Sequence, residues 1–290
     1  MKLATIRVEG RTTAVRVEGD GLVDLGLPDL GAVLASPDGL RTARTADGPR
    51  HSLAEADFAP LVPRPGKIVC VGLNYQRHIK EMGRELPEHP TLFCKFADSL
   101  IGAQDAIQRP VETEQFDWEA ELAVVIGTQV RRADEAAAEA AIAGFTVLND
   151  ITCRDWQFRT REWLQGKTWD STTPLGPYLV TTDEVGGPRP ALGIRCKVNG
   201  QVMQQDSTGD LLFDPVDLVR YISTTVRLNP GDIIATGTPG GVGHARKPQV
   251  FLEAGDTVVT EIEGVGRLEN RVVADSSVIA GNGTAPEGTR

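Results

Sequence analysis

The stretch FDWEAELAVVIG, residues 116–127, carries two carboxylates into an apolar run. Glu119 and Glu121 alternate with Ala120 and Leu122, and residues 122–126 read as a buried strand. Side chains alternate faces along a strand, so the two acids point the same way, about 7 Å apart. An isolated buried carboxylate costs several kcal/mol, so a cation must meet this pair. A third acid, Asp150, ends the strand FTVLND. Three carboxylates from two strand ends, with no histidine or cysteine beside them, make a hard oxygen site. Such a site suits Mg²⁺ or Mn²⁺ and leaves positions open to water or substrate. The alternative is a set of ion pairs on a solvated face, with Arg131 and Arg132 as partners.

A second pair lies in NYQRHIKEMG, residues 74–83. If that segment is helical, His78 and Glu81 are three apart on one face. The carboxylate can then hold the imidazole tautomer and raise its basicity, making His78 a general base; the alternative is an exposed helix whose histidine and glutamate do nothing. His51 and His89 fall in polar stretches read as exposed loops, and His244, after a glycine loop, is a minor candidate. GKT at residues 166–168 would complete a P-loop only with a glycine five positions earlier, where Arg161 stands. TGTPGGVG, residues 236–243, lacks GxGxxG spacing and leads into no helix. It reads as a plain turn or as a loop whose N–H groups hold a carboxylate.

These groups need a scaffold. Residues 2–25 alternate polar and apolar between glycine turns, which predicts two or three short antiparallel strands, and 30–35 and 53–58 read as short helices. APLVPRPG, residues 59–66, is a stiff connection. The division expected is a small N-terminal β/α domain over 1–63, a larger catalytic domain over 64–275 and a flexible tail over 276–290. In the larger part, 67–73 reads as a strand, 134–144 and 151–165 as helices, and Asn199-Gly200 as a hairpin turn. Strands dominate after residue 192, interrupted by a helix over 211–223. The fold class expected is therefore α+β and strand-rich. The 290 residues, 40% hydrophobic, suffice for a large core. A formal net charge of −10, without basic stripes, argues against nucleic acid. Cys70, Cys94, Cys153 and Cys196 lie far apart and read as buried free thiols. No window approaches the roughly 18 apolar residues of a membrane span, and the N-terminal alternation is unlike a targeting segment. The expectation is a cytoplasmic protein with no membrane partner.

Five ordered segments, VGLNYQRHIKEMG, DWEAELAVVIG, LNDITCRDWQ, GKTWDSTTPLGPYLV and GDIIATGTPGGVG, resemble the fumarylacetoacetate hydrolase family over roughly residues 67–273. The resemblance implies a mixed β-roll, usually a homodimer. It implies Glu119, Glu121 and Asp150 as ligands of Mg²⁺ or Mn²⁺, and His78 and Glu81 on a mobile lid. Lys167 matches the family's lysine, Arg154 and Gln157 its arginine and glutamine, and Thr238 the second threonine of TGTP. Gly166 stands where serine is common and Trp169 where phenylalanine is usual. The activity implied is hydrolysis of a C–C bond in a 2,4-dioxo acid, an acylpyruvate or fumarylacetoacetate-like compound, through an enolate stabilised by the divalent ion. Alternatives at the same site are an oxaloacetate-type decarboxylase and an isomerase or hydratase of unsaturated 2-oxo acids. A non-catalytic binder of small carboxylates is the alternative of another class.

Overall fold

The computed structural model describes residues 1–81, 83 and 85–275, so the tail expected over 276–290 lies outside the described residues. The strands Ala120–Ile126 and Ile142–Asn149 are buried at every position. Strands covered on both faces belong at the centre of a sheet, and these two pair antiparallel, with Ala120 opposite Asn149. The sheet is twelve-stranded, and its main path places these two between Thr173–Thr181 and Ile233–Ala235. Beyond Ile233–Ala235, Ile68–Gly72 joins in parallel and Thr91–Lys95 closes the edge antiparallel, so the sheet is mixed. A second, five-stranded sheet carries Gln201–Ser207, Gly193–Val198, Thr257–Ile262, Gly266–Ala274 and Ile107–Arg109 in that order. Val124, Phe145, Cys196, Val258 and Leu268 belong to one buried cluster drawn from both sheets. This is the strand-rich α+β roll expected.

The N-terminal strands are continuous with the large sheet. Lys2–Val8 pairs antiparallel with Thr173–Thr181, placing Leu3 opposite Leu179, and Leu3, Leu30 and Leu61 share a buried cluster with Ala123, Leu148 and Leu179. The helix Leu30–Ala35 forms as expected, its first turn capped by the Asp29 carboxylate accepting from Ala32 N–H at 2.8 Å. The helix expected over 53–58 does not form. Asp57–Phe58 pairs instead with Lys2–Val8, which gives its backbone a ladder partner while burying Phe58. The helix Gly39–Thr45 had no strong periodic signal.

Two further departures bear on the site. The expected helix over 134–144 stops at Ala141, because Ile142–Asn149 is already strand. The expected helix over 151–165 is broken. Thr152–Cys153 pairs with Phe116–Asp117, and only Arg154–Gln157 and Leu164–Lys167 are helical. The Asn199-Gly200 turn is as read, both residues at positive φ, 51° and 81°. Cys70, Cys153 and Cys196 are buried free thiols, whereas Cys94 is exposed, on the strand at the sheet edge. No helix among the described residues is long and apolar enough to cross a membrane.

Candidate active site

Strand register brings the three acids together. Glu119 immediately precedes the strand Ala120–Ile126, and Asp150 immediately follows Ile142–Asn149. The Asp150 N–H donates to the Glu119 carbonyl at 2.8 Å, and Glu119 N–H donates to Asn149 Oδ1 at 2.9 Å. Cross-strand neighbours share a face, as do residues two apart on one strand. One carboxylate oxygen from each of Glu119, Glu121 and Asp150 lies within 4.8 Å of the others. All three acids are buried, at 7%, 1% and 0% exposure.

The cations that meet them differ from Arg131 and Arg132. Arg131 donates to the carbonyls of Ser223 and Thr224. Lys167, delivered by the second short helix, reaches Glu119 at 2.6 Å and Asp150 at 2.7 Å. Lys95 reaches the other Asp150 oxygen at 2.6 Å. Arg154 lies 2.6 Å from Glu119 and donates through Nε to Asp117 at 2.8 Å. Glu121 accepts from Gly237 N–H at 2.7 Å and has no lysine or arginine partner among the described residues. Four carboxylates, Asp117 included, face three cations, so with all four ionised the buried site would carry one net negative charge.

The protonation states follow. Burial, then the charges of Asp150 and Glu119, push the Glu121 carboxyl well above its ordinary range. Burial also works to raise Asp150, but Lys167 and Lys95 outweigh it and hold that carboxyl below its usual value. Burial disfavours the Lys167 ammonium, and Asp150 and Glu119 more than restore it, so Lys167 stays charged. The residues fit a hard dication. The donor set is all oxygen, the acids converge, and one of them lacks a cation.

Asn74 anchors the segment that carries His78. Its amide donates to the carbonyls of Phe213 and Thr236 at 2.9 and 2.8 Å and accepts from Phe213 N–H at 2.8 Å. Beside it Leu73 is held at φ 55°, a left-handed conformation that a branched side chain seldom takes. The helix Gln76–Glu81 follows, as expected. His78 Nδ1 and Glu81 Oε2 converge on Gly240, 3.2 and 3.4 Å from where a Cβ there would stand. A side chain on the glycine loop would therefore crowd this pair.

One cavity of about 480 Å³ is lined by His78, Glu119, Glu121, Arg154, Gln157, Lys167 and Thr238. Of the nine residues given site roles from the sequence it collects these seven, and the minor candidate His244 lines it as well. Asp150 lies behind them, and Glu81 approaches through the Gly240 contact. The Gln157 amide oxygen accepts from Arg154 at 3.0 Å, so the end left for a ligand is the N–H₂ donor. The Thr238 hydroxyl donates to the Ala120 carbonyl at 2.9 Å and accepts from Gln204 at 2.8 Å, so it braces the loop against the strand. Sequence reasoning missed Lys95, Asp117 and Gln204. The first two interrupt apolar patterns only at strand ends, where a charge is a weak signal. Gln204 gave none. His89 is exposed as read, its ring stacked on Tyr221 with centroids 5.9 Å apart, whereas His51 is half-buried on the strand Arg50–Ser52, 3.4 Å from Asp24.

Known proteins are similar to this chain over most of its length. The human mitochondrial oxaloacetate tautomerase FAHD2A is 46% identical over 235 residues, 80% of this chain and 74% of the relative. Fumarylacetoacetate hydrolase from Exiguobacterium antarcticum superposes with a TM-score of 0.84 at 34% identity, covering 95% of this chain and 100% of that one. 5-Carboxymethyl-2-hydroxymuconate delta-isomerase from Mycobacterium smegmatis gives 0.79 at 33% identity, with the same coverage. The expected cytoplasmic location is corrected by these findings, since the human relative and its vertebrate counterparts are mitochondrial proteins. Residues 67–273 match the model of the fumarylacetoacetate hydrolase C-terminal domain, and the chain belongs to this family of enzymes.

Proposed function

We propose that the chain is a divalent-metal-dependent enzyme that interconverts keto and enol forms of a small 2-oxo dicarboxylic acid of the oxaloacetate type. The observation that carries this reading is a cavity where Glu119 and Glu121, backed by Asp150 and short of one cation, meet His78 and buried donors. The name of the human relative supports the choice of reaction. A Mg²⁺ or Mn²⁺ ion held by Glu119, Glu121 and Asp150 would supply a positive centre that polarises a 2-oxo group and makes the adjacent carbon more acidic.

The remaining work falls to the chain. Arg154 and the Gln157 N–H₂ donate to the substrate carboxylate, while Lys167 stays protonated, holds two acids in place and adds positive charge. His78, oriented by Glu81, takes the proton from C3 as the electron pair shifts toward the 2-oxygen, then returns it to that oxygen to give the enol. Phe93, Trp163 and Val242 line the cavity and limit water. With a dication the buried charge becomes one net positive, which suits an anionic substrate. A homodimer is the assembly proposed.

A second reading, hydrolysis of the C–C bond of a 2,4-dioxo acid such as an acylpyruvate, is favoured by the cavity itself. Its volume exceeds what a four-carbon diacid fills, and Phe93, Phe158, Trp163 and Val242 could receive an acyl tail. His78 would then deprotonate water, the hydroxide would add to the distal carbonyl, and pyruvate would leave as its enolate.

Oxaloacetate and an acylpyruvate, assayed in parallel with and without EDTA, separate these readings. Keto–enol exchange of oxaloacetate should be accelerated, lost in EDTA, and slowed on the order of 10²-fold or more in His78→Ala protein of unchanged metal affinity. Acylpyruvate cleavage without accelerated exchange would favour hydrolysis, and pyruvate release from oxaloacetate would show decarboxylation. Activity indifferent to EDTA would refute both main readings.

A further inference from the structure

The reaction proposed above leaves one histidine of the cavity without a task. His244 lines the same space as Glu119 and Glu121, but it is only half-buried. Its ring lies against exposed Phe158, centroids 5.2 Å apart, so it stands at the mouth while the acids occupy the buried end. Two contacts build its position. Asp117, fully buried, accepts from Gly243 N–H at 2.7 Å and His244 N–H at 3.0 Å, and the same carboxylate accepts from Arg154 Nε at 2.8 Å. On the other side the Gln249 side-chain nitrogen lies 2.9 Å from the His244 carbonyl oxygen and 3.2 Å from its Nδ1.

That second contact sets the tautomer. A backbone carbonyl only accepts, so the Gln249 atom shared between the two is the N–H₂ nitrogen, and Nδ1 must accept as well. The ring proton then sits on Nε2. Burial, followed by the charge of Arg154, holds the imidazole below its ordinary pKa, which favours this neutral form.

We propose that His244 is a specificity-determining residue: it donates from Nε2–H to the substrate carboxylate remote from the acid trio, and so selects 2-oxo dicarboxylic over monocarboxylic acids. The inference rests on reading the site as one for 2-oxo acids. A diacid with one carboxylate at the inner end must bring the other toward the mouth. Without a donor there, that charge would be desolvated and unpaired against Phe158 and Val242. Asp117 places Arg154 and His244 from a single buried point, and Gln249 is a positioning residue that decides which ring nitrogen donates.

Calorimetric binding of malate and lactate, unreactive 2-hydroxy analogues with and without the second carboxylate, to Mn²⁺-loaded protein tests the assignment without turnover. The wild type should prefer malate by about 10-fold or more. His244→Phe should abolish the preference at unchanged lactate affinity, and His244→Gln, which keeps a donor near the Nε2 position, should retain most of it. Gln249→Leu, at an exposed site, should reduce the preference about 2-fold or more. A wild type without the preference, or an undiminished preference in both His244→Phe and Gln249→Leu proteins, overturns the proposal. If the preference follows His244 while oxaloacetate is not turned over, the specificity assignment holds and the proposed reaction falls.

Discussion

Asp150 is fully buried and still charged, because Lys95 and Lys167 reach its two oxygens at 2.6 and 2.7 Å. Removing one partner of a buried ion pair leaves an uncompensated charge, which costs about 3–5 kcal/mol. Lys167 still faces Asp150 when Lys95 is lost, so Lys95→Met should destabilise the metal-free protein by about 3 kcal/mol in urea unfolding. A change below about 1 kcal/mol would show that Lys95 is dispensable to the charge balance. The acids could be read from the sequence because two carboxylates in an apolar strand break its pattern. Lys95 breaks the strand Thr91–Lys95 in the same way but stands at its end, where a charge looks ordinary. Asp117 lay inside the stretch first singled out. Its partners, Arg154 and the backbone of residues 243 and 244, are far along the chain and left no local trace.

The elements that carry the cations depend on a close approach of two short helices. A Cβ on Gly166 would stand 2.5–2.6 Å from the Cβ, Cα and N of Gln157. Backbone cannot yield as a flexible side chain does, so the glycine that replaces the family's common serine is required by packing in this chain. Gly166→Ala should part the helices Arg154–Gln157 and Leu164–Lys167, cost about 1–3 kcal/mol and lower turnover by displacing Lys167. Wild-type stability and activity in that variant would contradict the close packing. Period-two alternation and the Asn199-Gly200 turn made most strands and one hairpin readable. The break after Asp150 was not, because Thr152–Cys153 is defined only by pairing with Phe116–Asp117. Mixed polar and apolar residues there mimic a helical face. Asp57–Phe58 is likewise a strand only because Lys2–Val8 lies beside it.

For the whole molecule, the trio links stability to pH and to metal. Glu121 has a folded pKa raised above its unfolded value, so its contribution is present at low pH and lost as pH rises through the folded value. Asp150 is depressed, so its contribution is present above the unfolded value and lost as pH falls through the folded one. A dication competes with the proton on Glu121, and its stabilising effect should grow with pH. Thermal unfolding at about pH 5 and about pH 8 checks this: the rise in Tm on adding Mn²⁺ should be larger at the higher pH. An equal or smaller rise would contradict the assignment of Glu121. The most direct measurement is the stoichiometry of Mn²⁺ binding to EDTA-treated protein, followed by calorimetry. One saturable site per chain is expected, lost or severely weakened in Glu121→Gln. Absence of a saturable site in the wild type, or wild-type affinity in the variant, would contradict it.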